Sequence, residues 1–364
     1  MNKTPRQRFL DYVRRVPGAR PVVSPFGPHP EVVKATLCYM GLPADEDAMV
    51  NEIRLANALD YEPMFMTDCM GLIFPWREDK SRSDEDWIVS TISTPKGEWT
   101  QRLSRRAQQW GDDEGFPVKA EKDHEMLVAV CAQIGTREAE IRQYYRQYRE
   151  RVGEEGVIVI GHPQVHVLGM QISQRNMILH YVDYPETYRR SMDALCEAAR
   201  FVFEIAIAEG IDFMSDATFA LEVISPSWFD MHVPYLRSLA DCAHDHGGLF
   251  WFHNCGKTRE LILSGRFNRF HADVIETIAL PPEGDNDLQE SRRHLDASIC
   301  SKGNLSLRLL HNGSVEEVVY ETKKIVRAVR GYAHIYSTAD AVLPGTPPEN
   351  LIAFVKTARE ESQD

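Results

Sequence analysis

The chain has 364 residues, 43% of them hydrophobic and 26% charged, the balance of a globular protein able to bury a full core and not that of a disordered chain. Lys and Arg total 41 against 54 Asp and Glu, a formal charge of −13 with no concentrated basic face, which excludes general nucleic-acid binding and suits a small organic substrate or a partner with a positive face. The length admits one large α/β barrel or two smaller units, and the reading is a single domain over residues 1–364.

The first residues, MNKTPRQRFLDYVRRV, hold no apolar stretch of the kind a secretory signal needs, and no run approaches the ~20 apolar residues of a membrane span. The seven cysteines (Cys38, Cys69, Cys131, Cys196, Cys242, Cys255 and Cys300) are scattered, which does not make a disulfide framework. A cytoplasmic protein with reduced thiols is expected. No internal repeat or low-complexity tract is present.

In chain order, short apolar runs predict strands at Arg20–Gly27, Glu62–Met70, Val157–Pro163, Phe213–Ala220, Gly247–Gly256, Asp273–Thr277, Ala297–Asn304 and Ala333–Asp340. Several are apolar without alternation, as expected of strands covered on both faces. Helical spacing of apolar residues predicts helices at Pro185–Glu209 (Met192, Leu195, Ala199, Phe203, Ile207), Pro226–Asp245, Val315–Arg330 and Pro348–Glu361. Strands separated by helices imply right-handed βαβ units, and eight of them imply a (β/α)8 TIM-type barrel. Residues of about 75–150 break the alternation. There, Trp87–Arg106 carries two alternating runs around Pro95-Lys96-Gly97, a hairpin signature, followed by a charged helical region that includes Arg137–Arg151. This excursion between the second and third predicted strands is a lid, a docking element or a surface decoration.

Polar residues fall at the C-terminal ends of the runs: Asp68, His162, Asp216, His253 with Cys255, Glu276, Asn304 and Asp340. In a parallel barrel those ends share one rim, where active sites are built, and charge buried there must be paired, hydrogen-bonded or metal-bound. The sharpest subset is His253-Asn254-Cys255-Gly256 followed by Glu276. Residues two apart on a strand share a face, and Glu276 ends the next strand, about 5 Å away. Nitrogen, thiolate and carboxylate together suit Zn²⁺, although a packed His beside a buried thiol would show the same spacing. Asp68, Asp216 and His162 are candidate catalytic groups, with helix capping the bland alternative for Asp68. His166 and Asn304 are candidate substrate contacts. Met66, with Met64, Met70 and Met214, can line an apolar pocket, although core packing is the default for Met. Trp251, Phe252 and Cys300 read as core.

Further motifs carry a resemblance: Thr4-Pro5-Arg6-Gln7-Arg8-Phe9, Met66-Thr67-Asp68, Ser225-Pro226 with Val233-Pro234-Tyr235-Leu236, Lys302-Gly303-Asn304-Leu305, and Leu343-Pro344-Gly345-Thr346-Pro347-Pro348-Glu349-Asn350. Over nearly its whole length the chain resembles the uroporphyrinogen decarboxylase superfamily, and most of all its zinc-dependent, corrinoid-linked methyltransferase branch. The resemblance implies a (β/α)8 barrel. The stretch Val23–Pro30 lacks the arginines with which true uroporphyrinogen decarboxylases bind substrate carboxylates, and those enzymes lack His-x-Cys on the fifth strand. The methyltransferase branch implies zinc ligands at His253, Cys255 and Glu276, with a fourth ligand, Cys in those relatives, falling at Asp340. An Asp there would harden the site toward an oxygen substrate, such as a methoxy compound, or would serve as an acid or base instead of a ligand. The resemblance further implies a corrinoid carried by a separate protein as the other methyl carrier. A small methylated donor or acceptor is the expected substrate and a homodimer the expected assembly. Two alternatives stay open: a metal-independent decarboxylase or lyase centred on Asp68 and acting on a small acid, and a barrel that has lost activity and serves as a binding subunit.

Overall fold

The computed structural model describes residues 3–105, 115–219 and 221–363; Arg106, at the end of the predicted hairpin, residues 107–114 of the excursion, and Ala220, at the end of the fourth run, lie outside the described residues. The strands are β1 (Met64–Thr67), β2 (Arg77–Glu78), β3 (Trp87–Thr94), β4 (Gly97–Ser104), β5 (Val157–Ile160), β6 (Phe213–Thr218), β7 (Leu249–Asn254), β8 (Val274–Glu276), β9 (Cys300–Leu305) and β10 (His334–Thr338). The helices are α1 (Pro5–Val13), α2 (Pro30–Tyr39), α3 (Ala48–Leu59), α4 (Met70–Ile73), α5 (Asp123–Cys131), α6 (Glu138–Val152), α7 (Gln174–Asp183), α8 (Pro185–Ala208), α9 (Pro226–Asp245), α10 (Arg259–Leu263), α11 (Leu288–His294), α12 (Leu307–Asn312), α13 (Val315–Ala328) and α14 (Pro348–Glu361).

A parallel seven-stranded sheet runs in the order β1-β5-β6-β7-β8-β9-β10. The first predicted run, Arg20–Gly27, closes the circle as an extended stave and not as a full strand. It lies between β10 and β1, with Ser24 N–H on the Tyr336 carbonyl (2.9 Å), Tyr336 N–H on that of Val22 (3.0 Å) and Glu62 N–H on that of Val23 (2.9 Å). Pro21 and Pro25 explain the difference, because neither can donate to a ladder. The result is a TIM-type barrel in an α/β fold.

The excursion between β1 and β5 contains the predicted hairpin. β3 and β4 pair antiparallel from Trp87–Ser104 to Thr94–Gly97, and β2 adds a third strand. Ile92 and Trp99 carry this small sheet into the same buried apolar cluster as the barrel helices, and Trp99 lies 5.1 Å from Trp76.

Inside the barrel, side-chain alternation separates two faces. The inward residues Met64, Val157, Val159, Phe213, Trp251, Val274, Cys300 and Ile335 form one apolar cluster with Phe9, Leu10 and Val13 of α1. α1 therefore plugs the N-terminal end. It starts with Pro5 after a Thr4 cap whose box is completed by Gln7. The outward residues Phe65, Ile158, Ile160, Met214, Phe250, Phe252 and Ile275 pack into the helical layer. Burial on both faces is why these runs are apolar without alternation.

Glu62, 1% exposed, ties the ends of the chain to this barrel. Its carboxylate accepts from Arg8 Nε (2.8 Å) on α1, Arg20 Nη2 (2.8 Å) on the stave and Arg359 Nη2 (2.6 Å) on α14. A second buried network ties the excursion down: His124 Nε2 and His180 Nδ1 share a hydrogen bond (3.0 Å), His124 Nδ1 and Ser191 Oγ another (2.9 Å), and the Ser191 hydroxyl reaches the Thr187 carbonyl. Burial, with His180 alongside, pushes His124 down to about 4.

Two outcomes are expected. Glu62→Ala leaves a guanidinium without its buried partner and should cost about 3–5 kcal/mol in urea denaturation. His124, depressed in the fold from an ordinary 6.5 to about 4, binds its proton more readily when unfolded. Stability should therefore fall as pH drops below about 6.5 and level near 4, and His124→Gln should flatten that slope.

Candidate active site at the barrel mouth

The inward face turns polar one residue pair above the apolar layer. Phe213 gives way to Ser215, Trp251 to His253, Val274 to Glu276 and Cys300 to Lys302, each two positions along its strand. Sheet register sets three of these at one level, since His253 pairs with Glu276 and Glu276 with Lys302 across β7, β8 and β9. The side chains follow: His253 Nδ1 donates to Glu276 Oε1 (3.1 Å), and Lys302 Nζ donates to Glu276 Oε2 (2.7 Å). Lys302 and Glu276 are buried, at 0% and 1% exposure. Gly303, with φ +133, lets β9 pass Thr277, whose carbonyl oxygen would sit 2.2 Å from an added Cβ.

Two further groups frame the trio. His162, just past β5, stacks on His253 (centroids 5.3 Å, planes 18° apart) and donates from Nδ1 to Ser215 Oγ (2.8 Å), whose own proton goes to the Ile160 carbonyl. Phe26, on the stave, presents its ring to Lys302 Nζ at 4.2 Å and to His253 at 6.1 Å. Burial alone would drive the Glu276 carboxyl up, but Lys302 and His253 outweigh it and hold it near about 2. Burial likewise opposes the charge on His253, yet its contacts with Cys255 and Glu276 win and push it up to about 10. Burial lowers Lys302, which Glu276 partly offsets. His162 is pushed down to about 4 by burial and by His253.

The donor chemistry of His253, Cys255 and Glu276 fits a zinc-class ion, and Cys255, half-buried, follows directly on β7 with Sγ 3.9 Å from the Thr218 carbonyl. The geometry assigns these residues unequal parts. Both Glu276 oxygens are already engaged, and the His253–Glu276 bond is the orienting contact that a metal-bound imidazole makes through its second nitrogen. Among the described residues, the trio whose donor atoms all lie within 4.8 Å of one another is Glu204, Cys242 and His246, not His253, Cys255 and Glu276. Among the described residues Asp340 makes no hydrogen bond or ion pair with His253, Cys255 or Glu276. Its Oδ1 takes the Ala341 N–H (2.7 Å), and it acts on Lys302 through its charge.

The other expected site residues divide. Met66 stands 42% exposed at the rim, two positions beyond inward-facing Met64. Asp68 is exposed at the rim, and its Oδ1 accepts from Gly71 N–H (3.0 Å) at the start of α4. Three residues lie behind the sheet, which corrects the expectation that they face the mouth. Asp216 occupies an outward position of β6 with no exposure, takes the N–H groups of Gln164 (2.7 Å) and Ala217 (2.8 Å), and meets His232 Nε2 at 3.3 Å. Burial raises its carboxyl. His166 stacks on His232 of α9 at 4.2 Å, because β5 ends at Ile160 and strand alternation does not extend to the loop. Asn304 follows Gly303, whose φ of +133 breaks the strand alternation; it donates to the Ile278 carbonyl (2.8 Å) and lines a cavity of about 210 Å³ against α13. The residue missed as a site group is Lys302. Its signal was a lysine two places after Cys300 in a run otherwise suited to burial.

Residues 168–361, more than half of the chain, match the family description Uroporphyrinogen decarboxylase (URO-D). The chain is 36% identical over 76 residues to the uroporphyrinogen decarboxylase of Trichodesmium erythraeum, a stretch covering 21% of each, and 38% identical over 60 residues to that of Paracoccus denitrificans, covering 16% of this chain and 17% of that one. The matched stretches thus span about a fifth of the length of these curated relatives. In structure, the chain is similar along its whole length to a methyltransferase from Methanosarcina mazei, with a TM-score of 0.66 at 16% identity and full coverage of both chains, which establishes a shared fold. On the match over its larger part, the chain belongs to the uroporphyrinogen decarboxylase family.

Proposed function

We propose that this chain is a zinc-dependent methyltransferase that moves a methyl group between a small methylated compound, a methoxy compound foremost, and a corrinoid carried by a separate protein or a similar acceptor. The observation that carries the reading is the placement of His253 and Cys255 at the end of β7 with Glu276 level across the sheet. His253 Nε2 and Cys255 Sγ would hold the ion, with Glu276 fixing the imidazole and Asp340 outside the ligand set. Zinc bound there supplies Lewis acidity to the atom that gives or takes the methyl group. The chain's own residues do the remainder. Lys302 keeps Glu276 ionised, Phe26 and Met66 offer apolar wall to a methyl-bearing substrate, and Asp68 stands at the rim to orient its polar end.

One observation favours a second reading. With both Glu276 oxygens taken by His253 and Lys302, the mouth holds two cationic groups against one carboxylate, which suits a metal-independent lyase acting on a small acid. Metal content separates the two. Measured by mass spectrometry on protein purified without added metal, zinc should fall by one equivalent in Cys255→Ser, with loss of methyl transfer to a cobalamin acceptor. Asp340→Ala should retain that equivalent. Glu276→Gln should weaken binding by about 10–100-fold, the effect of losing an orienting partner. An unchanged metal content in Cys255→Ser would sink the methyltransferase mechanism in favour of the lyase.

Lys302→Met tests the ion pair itself. It leaves Glu276 short of a charge partner and should cost about 3–5 kcal/mol in denaturant unfolding, with part of the loss recovered in the double variant Lys302→Met/Glu276→Gln.

A further inference from the structure

We propose a second metal site, remote from the mouth, formed by Glu204 of α8 with Cys242 and His246 at the C-terminal end of α9, and suited to a zinc-class ion. One donor atom from each of the three lies within 4.8 Å of the others. Cys242 and His246 are four residues apart, so one turn of helix places them on the same side, and α9 ends at Asp245 with His246 as its cap. α9 leads into β7, so this cluster lies toward the N-terminal end of the barrel, away from His253 and Cys255.

Several features make the cluster more than chance proximity. His246 Nδ1 donates to the Cys242 carbonyl (2.9 Å), which leaves Nε2 as the lone-pair nitrogen; a carbonyl on the non-ligating nitrogen is how a metal-binding imidazole is commonly oriented. Glu204 has no hydrogen bond or ion pair among the described residues, so its carboxylate is free to turn to a ligand beside Cys242. Cys242 is 3% exposed and takes part in no disulfide; its thiol lies 3.8 Å from the Arg200 carbonyl and also meets the Arg200 side chain. The negative end of the α9 dipole favours a cation at the same place. Sulfur, nitrogen and oxygen donors select a borderline ion over calcium or magnesium, and three protein ligands leave a fourth position for water. Bound there, the ion would staple α8 to α9, the two helices that flank β6 in sequence.

The full-length apoprotein can be titrated with cobalt(II), with thiolate-to-cobalt charge-transfer absorption as the readout, in the wild type, His246→Ala, Cys242→Ser and Cys255→Ser. His246 is exposed, so its replacement leaves the core intact. Two equivalents are expected in the wild type. One should be lost in His246→Ala and in Cys242→Ser, and the other in Cys255→Ser. A single equivalent lost with His246 but not with Cys255 would support this site and overturn the functional reading above. A single equivalent lost with Cys255 but not with His246 would do the reverse. Unchanged stoichiometry and absorption in both His246→Ala and Cys242→Ser, or no binding in the wild type, would overturn the peripheral site.

Discussion

The mouth of this barrel is organised around one buried carboxylate. Glu276 sits at the end of a three-residue strand, 1% exposed, and would not stay ionised there without partners. Lys302 and His253 supply them from the strands on either side, each bonded to a different oxygen. That sharing fixes the imidazole ring, keeps the lysine inside the barrel, and places both at one level through the sheet register. His162 then stacks on His253, and Phe26 bridges Lys302 and the apolar floor beneath.

The floor makes the arrangement effective. α1 closes the other end of the barrel with Phe9, Leu10 and Val13, and the layer around Phe213 and Trp251 is apolar and fully buried. Charges above a dry floor interact more strongly than they would in water. The same construction confines chemistry to the C-terminal rim, where Met66 and Asp68 are open to solvent while Ser215, Glu276 and Lys302 are not.

Strand runs were legible because burial on both faces leaves an unbroken apolar signature, and seven of the eight runs form the parallel sheet. The first run carries the same signature, but its prolines turn a strand into a hydrogen-bonded stave. At the site, His253 and Glu276 were legible as strand-end residues on neighbouring strands. Facing was harder to read. Asp216 lies one position from inward Ser215, and a run of apolar neighbours gives no phase by which to tell them apart. His166 belongs to a loop, whose path no periodicity records. Lys302 was visible as a letter in a motif, but its role depends on a partner 26 residues away, which only the register supplies.

Lys302 also bears on what Asp340 does. The related branch is expected to carry a thiolate where this chain has Asp340, and Lys302, in a motif that carries the resemblance, sets a buried ammonium beside Glu276. With a divalent ion on His253 and Cys255, the thiolate and Glu276 together cancel the ion's charge, and Lys302 leaves the mouth with one positive charge in excess. A carboxylate close enough to act on that ammonium, without touching the ligands, restores the balance. Under that proposal Asp340 would serve the site through its charge, with its Oδ1 held by the Ala341 N–H. Under the proposed function, a carboxylate that balances charge where the resemblance expects a soft ligand would leave a coordination position to an oxygen of the substrate.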